Sequence, residues 1–383
     1  MFILEERREH LEPEGIFNHR RRLWTYALIA IGLSVLAIVG ISFFTMDHNT
    51  FKAISHISVI SLIVVLVLVS GKWVTECIRY KLLIRAIGKR MSFGKTAKAV
   101  LGSSFTGAIT PYRAGTFPAQ VYFLSRYGLT GGEATAVSLT AGAISMLVMM
   151  IAMPFALVLG ASKIHVGMGF RAVLVGGAFI GFFAFLLAVY SMRDPSRATK
   201  ILNKITPRFI RRKPGFERFQ ERLAKGMGDF SETLRTLFKA PKLLLVAVVL
   251  LTVVFWLAGA FVASWLLKGF GYPQYFWKAM LGQMLVSSIL PFAPVPAESG
   301  VAEVAFAGIF SVFIAKNTLA FVTIAWRFFM LYIPLIGLGI AFILATRDAR
   351  RISLEREQEA APHTVFEIPV LEPLAVSPEP EEA

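Results

Sequence analysis

The 383-residue chain is 56% hydrophobic with a mean hydropathy of +0.64, beyond what a soluble core of this size needs, so it reads as an integral membrane protein. Its net charge of +16 does not point to nucleic acid, because the lysines and arginines fall in blocks between apolar spans, where they serve as topology signals. Cys77 is the single cysteine, which excludes an intrachain disulfide framework and a cysteine metal site.

A charged N-terminal segment, 1–22, precedes the first apolar run, Leu23 to Thr45, which exceeds a signal-peptide core and reads as a retained anchor helix. Five further segments are long enough to cross a bilayer: Ile57 to Ile78, Ala134 to Gly160, Arg171 to Met192, Leu243 to Leu267, and Thr318 to Thr346. Positive charge gathers between the second and third crossings, at Arg79, Lys81, Arg85, Lys89, Arg90, Lys95 and Lys98, and more densely from Arg193 to Lys242. The positive-inside rule then puts both termini in the cytoplasm, with the chain multi-pass in the cell membrane.

Two shorter apolar stretches break at proline. The first runs from Ala97 to Thr110, through Pro111-Tyr112-Arg113-Ala114-Gly115, to Phe117 and on to Arg126. The second runs from Trp277 to Leu290, through a loop holding Pro291, Pro294, Glu298 and Gly300, to Val301 and on to Ala315. Each leading arm has about 14 residues, roughly 21 Å of helix, which is short of a hydrocarbon core of about 30 Å. Such arms turn back, and irregular backbone at that depth needs protein or a wet cavity around it. Segment parity sends the hairpins in from opposite sides. The fold expected is an all-α polytopic membrane protein with six full crossings and two oppositely oriented re-entrant hairpins, 97–126 and 277–315, forming an inverted repeat. The competing reading is ordinary short helices or one unresolved crossing. The membrane halves are then 23–192 and 243–346, separated by a basic cytoplasmic loop, 193–242.

That loop contains an apolar stripe, Leu223, Met227, Phe230, Leu234 and Leu237, suited to a helix lying on anionic inner-leaflet lipid. After Ile352 come eight glutamates, five prolines and only Arg356 as a basic residue, so 347–383 reads as a disordered acidic tail. Pro154 and Pro334 are expected to kink the two repeat-related crossings.

Glu298 and Glu303 flank Gly300, and a carboxylate inside a membrane needs pairing, protonation or water. Arg113 and Arg327 are the partners expected, in a polar chamber holding a phosphate-bearing headgroup; a purely structural ion pair is the plain alternative. Lys72, Glu76 and Arg79 share one helix face, where local pairing and snorkelling explain them better than substrate contact. Ser103, Ser104, Ser287 and Ser288 read as packing residues. No GxSxG, HExxH, Walker loop or CxxC occurs, and no cofactor motif, so no enzymatic activity is expected.

These features resemble the membrane region of lysylphosphatidylglycerol synthase proteins and their stand-alone flippase-like (UPF0104) relatives. The residues that carry the resemblance are Arg79-Tyr80-Lys81-Leu82-Leu83 with Gly88, the Pro111 to Gly115 loop, Arg126-Tyr127-Gly128-Leu129, Leu290-Pro291 with Pro294, Gly300 and Glu303, and Arg327. The chain departs from the family pattern at Val295-Pro296-Ala297-Glu298, where a glycine pair is usual, and at Thr116. Gly142 and Ala143 stand where the repeat would place a first-half counterpart of Arg327. A soluble aminoacyl-transfer domain is not expected after Thr346. The resemblance implies movement of a polar or phosphate-bearing lipid between leaflets; the rival class is an intramembrane enzyme or accessory factor of isoprenoid or glycolipid synthesis.

Overall fold

A computed structural model describes residues 57–161 and 239–360, with scattered positions in 32–40 and 232–237. Most of the expected crossing Leu23 to Thr45, the crossing Arg171 to Met192, most of the basic loop with its apolar stripe except Leu237, which is buried in the core, and 361–383 lie outside the described residues. Among those described there is no strand.

Four helical segments are long and apolar enough to cross a membrane: Val59–Ala86, Gly131–Ala152, Lys242–Gly269 and Thr318–Glu355. They coincide with the four expected crossings that the described residues include. Ile60, Val67, Leu243, Leu250, Ile336 and Ile340 face outward, as lipid-facing helices require.

α1 (Val59–Ala86) and α5 (Lys242–Gly269) have 28 residues each and lie against one another. The Ser58 amide, which opens α1, donates to the Gly269 carbonyl, which closes α5, at 3.1 Å, so the pair is antiparallel. Gly269 allows this approach: a Cβ there would come within 2.9 Å of the Ser61 Cβ.

Two helical hairpins fill the space beside this pair. In the first, α2 (Phe93–Ala108) leads to a 3-10 turn at Pro111–Arg113 and back through α3 (Thr116–Arg126). In the second, α6 (Phe276–Ile289) leads through turns at Leu290–Phe292 and Pro296–Glu298 into α7 (Val301–Phe310). The arms are short, from 10 to 16 residues. α2 and α3 start and finish at the end of the molecule where α1 finishes, within a cluster of Leu83, Ile84, Phe123, Leu124, Tyr127 and Val248. α6 and α7 start and finish at the other end, where the Ser264 hydroxyl donates to the Phe276 carbonyl and Tyr275 meets Phe313. The hairpin tips therefore meet inside the molecule.

Two long helices complete the frame. α4 (Gly131–Ala161) opens with a reciprocal cap, in which the Thr130 amide donates to Glu133 Oε2 and the Glu133 amide donates to the Thr130 hydroxyl. It stays helical across Pro154. α8 (Lys316–Arg327) continues through a π-helical turn, Phe328–Tyr332, into α9 (Ile333–Ala360). Pro334 has no amide to offer the preceding turn, and the widened turn just before it absorbs that loss. The two first arms trade places: α2 packs along α9, and α6 packs along α4.

α9 corrects the reading of 347–383 as a disordered tail, because residues 347–360 are helical. Composition could not show what holds them. Asp348 accepts from Lys98 at 2.6 Å and from the Tyr127 hydroxyl at 3.2 Å, tying the last turns of α9 to the first hairpin. Burial, together with that carboxylate, pushes the Tyr127 phenol up.

The hairpin arms leave no room for added atoms at two glycines. A Cβ on Gly115 would sit 2.8 Å from the Thr106 carbonyl oxygen, and one on Gly107 would overlap the Thr116 hydroxyl. Gly115→Ala is expected to cost about 1–3 kcal/mol through this overpacking, read as a lowered unfolding temperature in detergent, whereas Gly94→Ala, with open space around it, should leave that temperature unchanged.

Candidate functional site: a charged cavity where two loops meet

Both loops adopt the same uncommon backbone. Tyr112 (φ 53°, ψ 17°) and Arg113 (φ 55°) are left-handed, and so are Ala297 (φ 54°, ψ 16°) and Glu298 (φ 57°). The preceding residues match too, Thr110 at φ −112°, ψ 144° and Val295 at φ −115°, ψ 147°. Consecutive left-handed residues with side chains cost about 1–2 kcal/mol each, a strain that gathers at functional positions.

In this match Pro111 corresponds to Pro296 and Arg113 to Glu298, 185 residues on; Gly115 and Gly300 follow the same spacing. Ser103 then aligns with Ser288, and each hydroxyl donates to the carbonyl three residues before it. Pro291 and Pro294 follow directly on the end of the α6 helix at Ile289.

The loops touch at Arg113 and Glu298, which hold the same place in the two matched turns, and at Tyr112 and Ala293. Arg113 Nη1 lies 3.2 Å from Glu298 Oε1, and the Tyr112 amide donates to the Ala293 carbonyl at 3.2 Å. Arg113 is 44% exposed and Glu298 13%. The second ion pair is of another kind: Arg327 Nε lies 2.7 Å from Glu303 Oε1 with the two side chains 3% and 0% exposed. Glu303 Oε2 accepts the Gly300 amide, satisfying the start of α7, while Arg327 Nη2 donates to the Ala297 carbonyl and the Ser299 hydroxyl. Phe306 stacks between Phe310 and Trp326 behind this pair, at 4.0 and 4.4 Å.

Loop one is held differently. Thr106 donates to the Gly115 carbonyl and Thr110 accepts the Gly115 amide, each at 2.9 Å. Two threonines on the arm therefore do in the first half what Arg327 and Glu303 do in the second.

A cavity of about 610 Å³ opens beside the joined loops. Its wall includes Lys72, Glu76, Arg79, Arg113, Glu298 and Arg327, with Pro291 at the loop and an apolar remainder that includes Phe117, Trp256, Trp326 and Leu335. Glu303 is not on this wall; it stands behind Arg327. Pro111, Pro294, Gly115 and Gly300 shape the loops without lining the cavity. Arg79 is 3% exposed and joins three helices: it pairs with Glu76 at 2.7 Å on α1 and donates to Ser145 of α4 at 2.6 Å and to Thr252 of α5 at 3.2 Å. It is therefore a buried wall residue rather than a side chain reaching for an interface.

The sequence reading undervalued Lys72 and Glu76 and did not name Ser145, Thr252, Trp256 or Trp326. The available signal was a polar residue recurring inside otherwise apolar crossings, at Ser145 and Thr252, which a hydrophobic span does not need. Lys72 does not join the Glu76–Arg79 pair; its ammonium lies over the rings of Phe255, at 4.7 Å, and Trp73, at 5.7 Å.

Helices of membrane-spanning length around a charged cavity define an all-helical, multi-pass membrane protein. The chain belongs to the family of the lysylphosphatidylglycerol synthase transmembrane region, whose pattern matches residues 27–337. It is also 28% identical over 303 residues to a UPF0104 membrane protein of Archaeoglobus fulgidus, covering 78% of this chain and 90% of that one.

Proposed function

We propose that the protein moves a lipid with a polar, phosphate-bearing headgroup between the two leaflets of the cell membrane. The observation that carries this reading is the charged cavity at the meeting point of two equivalent loops. A charge at the centre of hydrocarbon costs at least about 3 kcal/mol, so a headgroup needs a polar lining to cross. Arginine suits that task because its fork of donors fits phosphate oxygens.

The hairpins are read here as re-entrant, entering from opposite faces, and the two halves as an inverted repeat across the membrane. The antiparallel α1 and α5, the exchanged packing of α2 and α6, and the matched loop backbones support this. We put both termini on the cytoplasmic side because lysines and arginines concentrate in residues 79–98 and 193–242, the stretches between alternate crossings. The basic loop of residues 193–242 would rest on anionic lipid of that leaflet. In this scheme the Arg113–Glu298 contact parts and re-forms as the headgroup passes, while the Arg327–Glu303 pair keeps the second loop in shape.

Reconstitution into vesicles carrying a chemically accessible lipid tests the reading. Transfer should rise with protein content for a phosphate-bearing lipid. Equal transfer with and without protein across anionic, zwitterionic and isoprenoid-phosphate lipids rejects it, and product formation in detergent without transfer would favour an enzyme instead.

A further inference from the structure

At the end of the molecule where α1 finishes, the surface carries four cations that meet no carboxylate. Lys81, Arg85, Arg90 and Lys95 are exposed and make no ion pair among the described residues, whereas Lys89 beside them pairs with Glu133 at 3.1 Å and Lys98 with Asp348 at 2.6 Å. Phe93 lies among them, 41% exposed, with the Lys81 ammonium over its ring at 5.9 Å. α1 runs to Ala86, about 12 Å past Ile78, where its expected crossing stops, so Arg85 and Arg90 stand clear of the hydrocarbon. Topology requires only positive charge near a span; it does not call for an exposed phenyl ring among the cations.

The chain itself delivers a complementary segment to this end. α9 lies antiparallel to α2: a Cβ on Gly102 would meet the Ala345 Cβ at 3.4 Å, and Lys98 pairs with Asp348. Counting outward from that pair, α9 passes the start of α2 at Phe93 and continues about 10 Å farther, to Ala360. Residues 361–383 follow, outside the described residues. They hold Glu367, Glu372, Glu379, Glu381 and Glu382 and neither lysine nor arginine, with Phe366, Ile368, Val370 and Leu371 around the first two glutamates. Acidic and apolar residues in one segment match cations set around an exposed ring. Tethering holds the segment at a local concentration near millimolar, so several individually weak surface ion pairs suffice to seat it.

We propose that residues 361–383 dock on the surface formed by the end of α1 and the start of α2, with glutamates on Arg85, Arg90 and Lys95 and an apolar side chain on Phe93. The contact straps the α9 extension across the base of the first hairpin. It lies outside the cavity and does not depend on what the cavity carries.

Cross-linking within the full-length protein tests the contact. Ser377→Cys supplies one thiol, and Gly94→Cys supplies the other at a position with open space that leaves every cation in place. Cys77 is buried, out of a linker's reach. In phosphatidylcholine nanodiscs a short bis-maleimide should join the two within one chain. The rate should fall by about fivefold or more when the five glutamates become glutamine, and as much with Arg85→Gln, Arg90→Gln and Lys95→Gln together. Salt at about 1 M, where the screening length is about 3 Å, should act likewise. Unchanged unfolding temperatures in both variants show that the fold is intact, since none of the replaced cations is buried. The proposal is overturned if either set of substitutions leaves the rate unaltered or if the link joins two copies. It is also overturned if an equal share of phosphatidylglycerol in the discs abolishes the link, which would give the patch to the lipid leaflet.

Discussion

Glu303→Ala is expected to destabilise the fold by about 3–5 kcal/mol, the largest single-residue effect anticipated in this chain. The substitution strands the Arg327 guanidinium, which is 3% exposed, without its charge partner and removes the acceptor for the Gly300 amide. Arg327 would keep its hydrogen bonds to the Ala297 carbonyl and the Ser299 hydroxyl. The measurement is thermal unfolding in detergent, followed by helical circular dichroism. Replacing both members, Glu303→Leu with Arg327→Leu, should recover a substantial part of the loss, because an apolar pair carries no desolvation cost. A single substitution that costs less than about 1 kcal/mol would mean that the pair does not hold the second loop.

Charge reversal at the other pair should separate function from stability. Arg113 is 44% exposed, so its contact with Glu298 contributes only about 0–1 kcal/mol to the fold. On the transport proposal, Arg113→Glu is nevertheless expected to slow lipid transfer by about tenfold or more, because it opposes two carboxylates where the loops meet and removes a cation from the wall. Combining it with Glu298→Arg restores the contact in reverse and should return most of the rate, with unfolding temperatures alike in all three proteins. Full transfer by the single variant would show that closure of the loops through this pair is not part of the cycle.

The contrast between the two ion pairs was not legible in the sequence, where Glu298 and Glu303 stand on either side of Gly300 as similar intramembrane carboxylates. The expectation that they meet Arg113 and Arg327 agrees with the geometry. Which carboxylate faces the cavity and which stands behind it depends on how loop two is wound. That winding comes from left-handed Ala297 and Glu298 and from Gly300 at φ 82°, a conformation that residue spacing does not encode. Lys72 was hidden for a related reason. On a helix face it is a neighbour of Glu76, and its ammonium also lies over the rings of Phe255 on α5 and Trp73 on α1.

The sequence alone determined that this is a helical membrane protein, because apolar length and charge blocks are local properties with a direct solvation cost. It also marked the broken segments, since proline removes a donor wherever it stands. Tertiary structure alone decided the matching backbone of the two loops, the helical continuation of α9 to Ala360 and the sharing of Arg79 among three helices. Each of these depends on contacts between residues far apart in the chain. Pairing across a cavity is a balance of distances and desolvation that only the packed helices set.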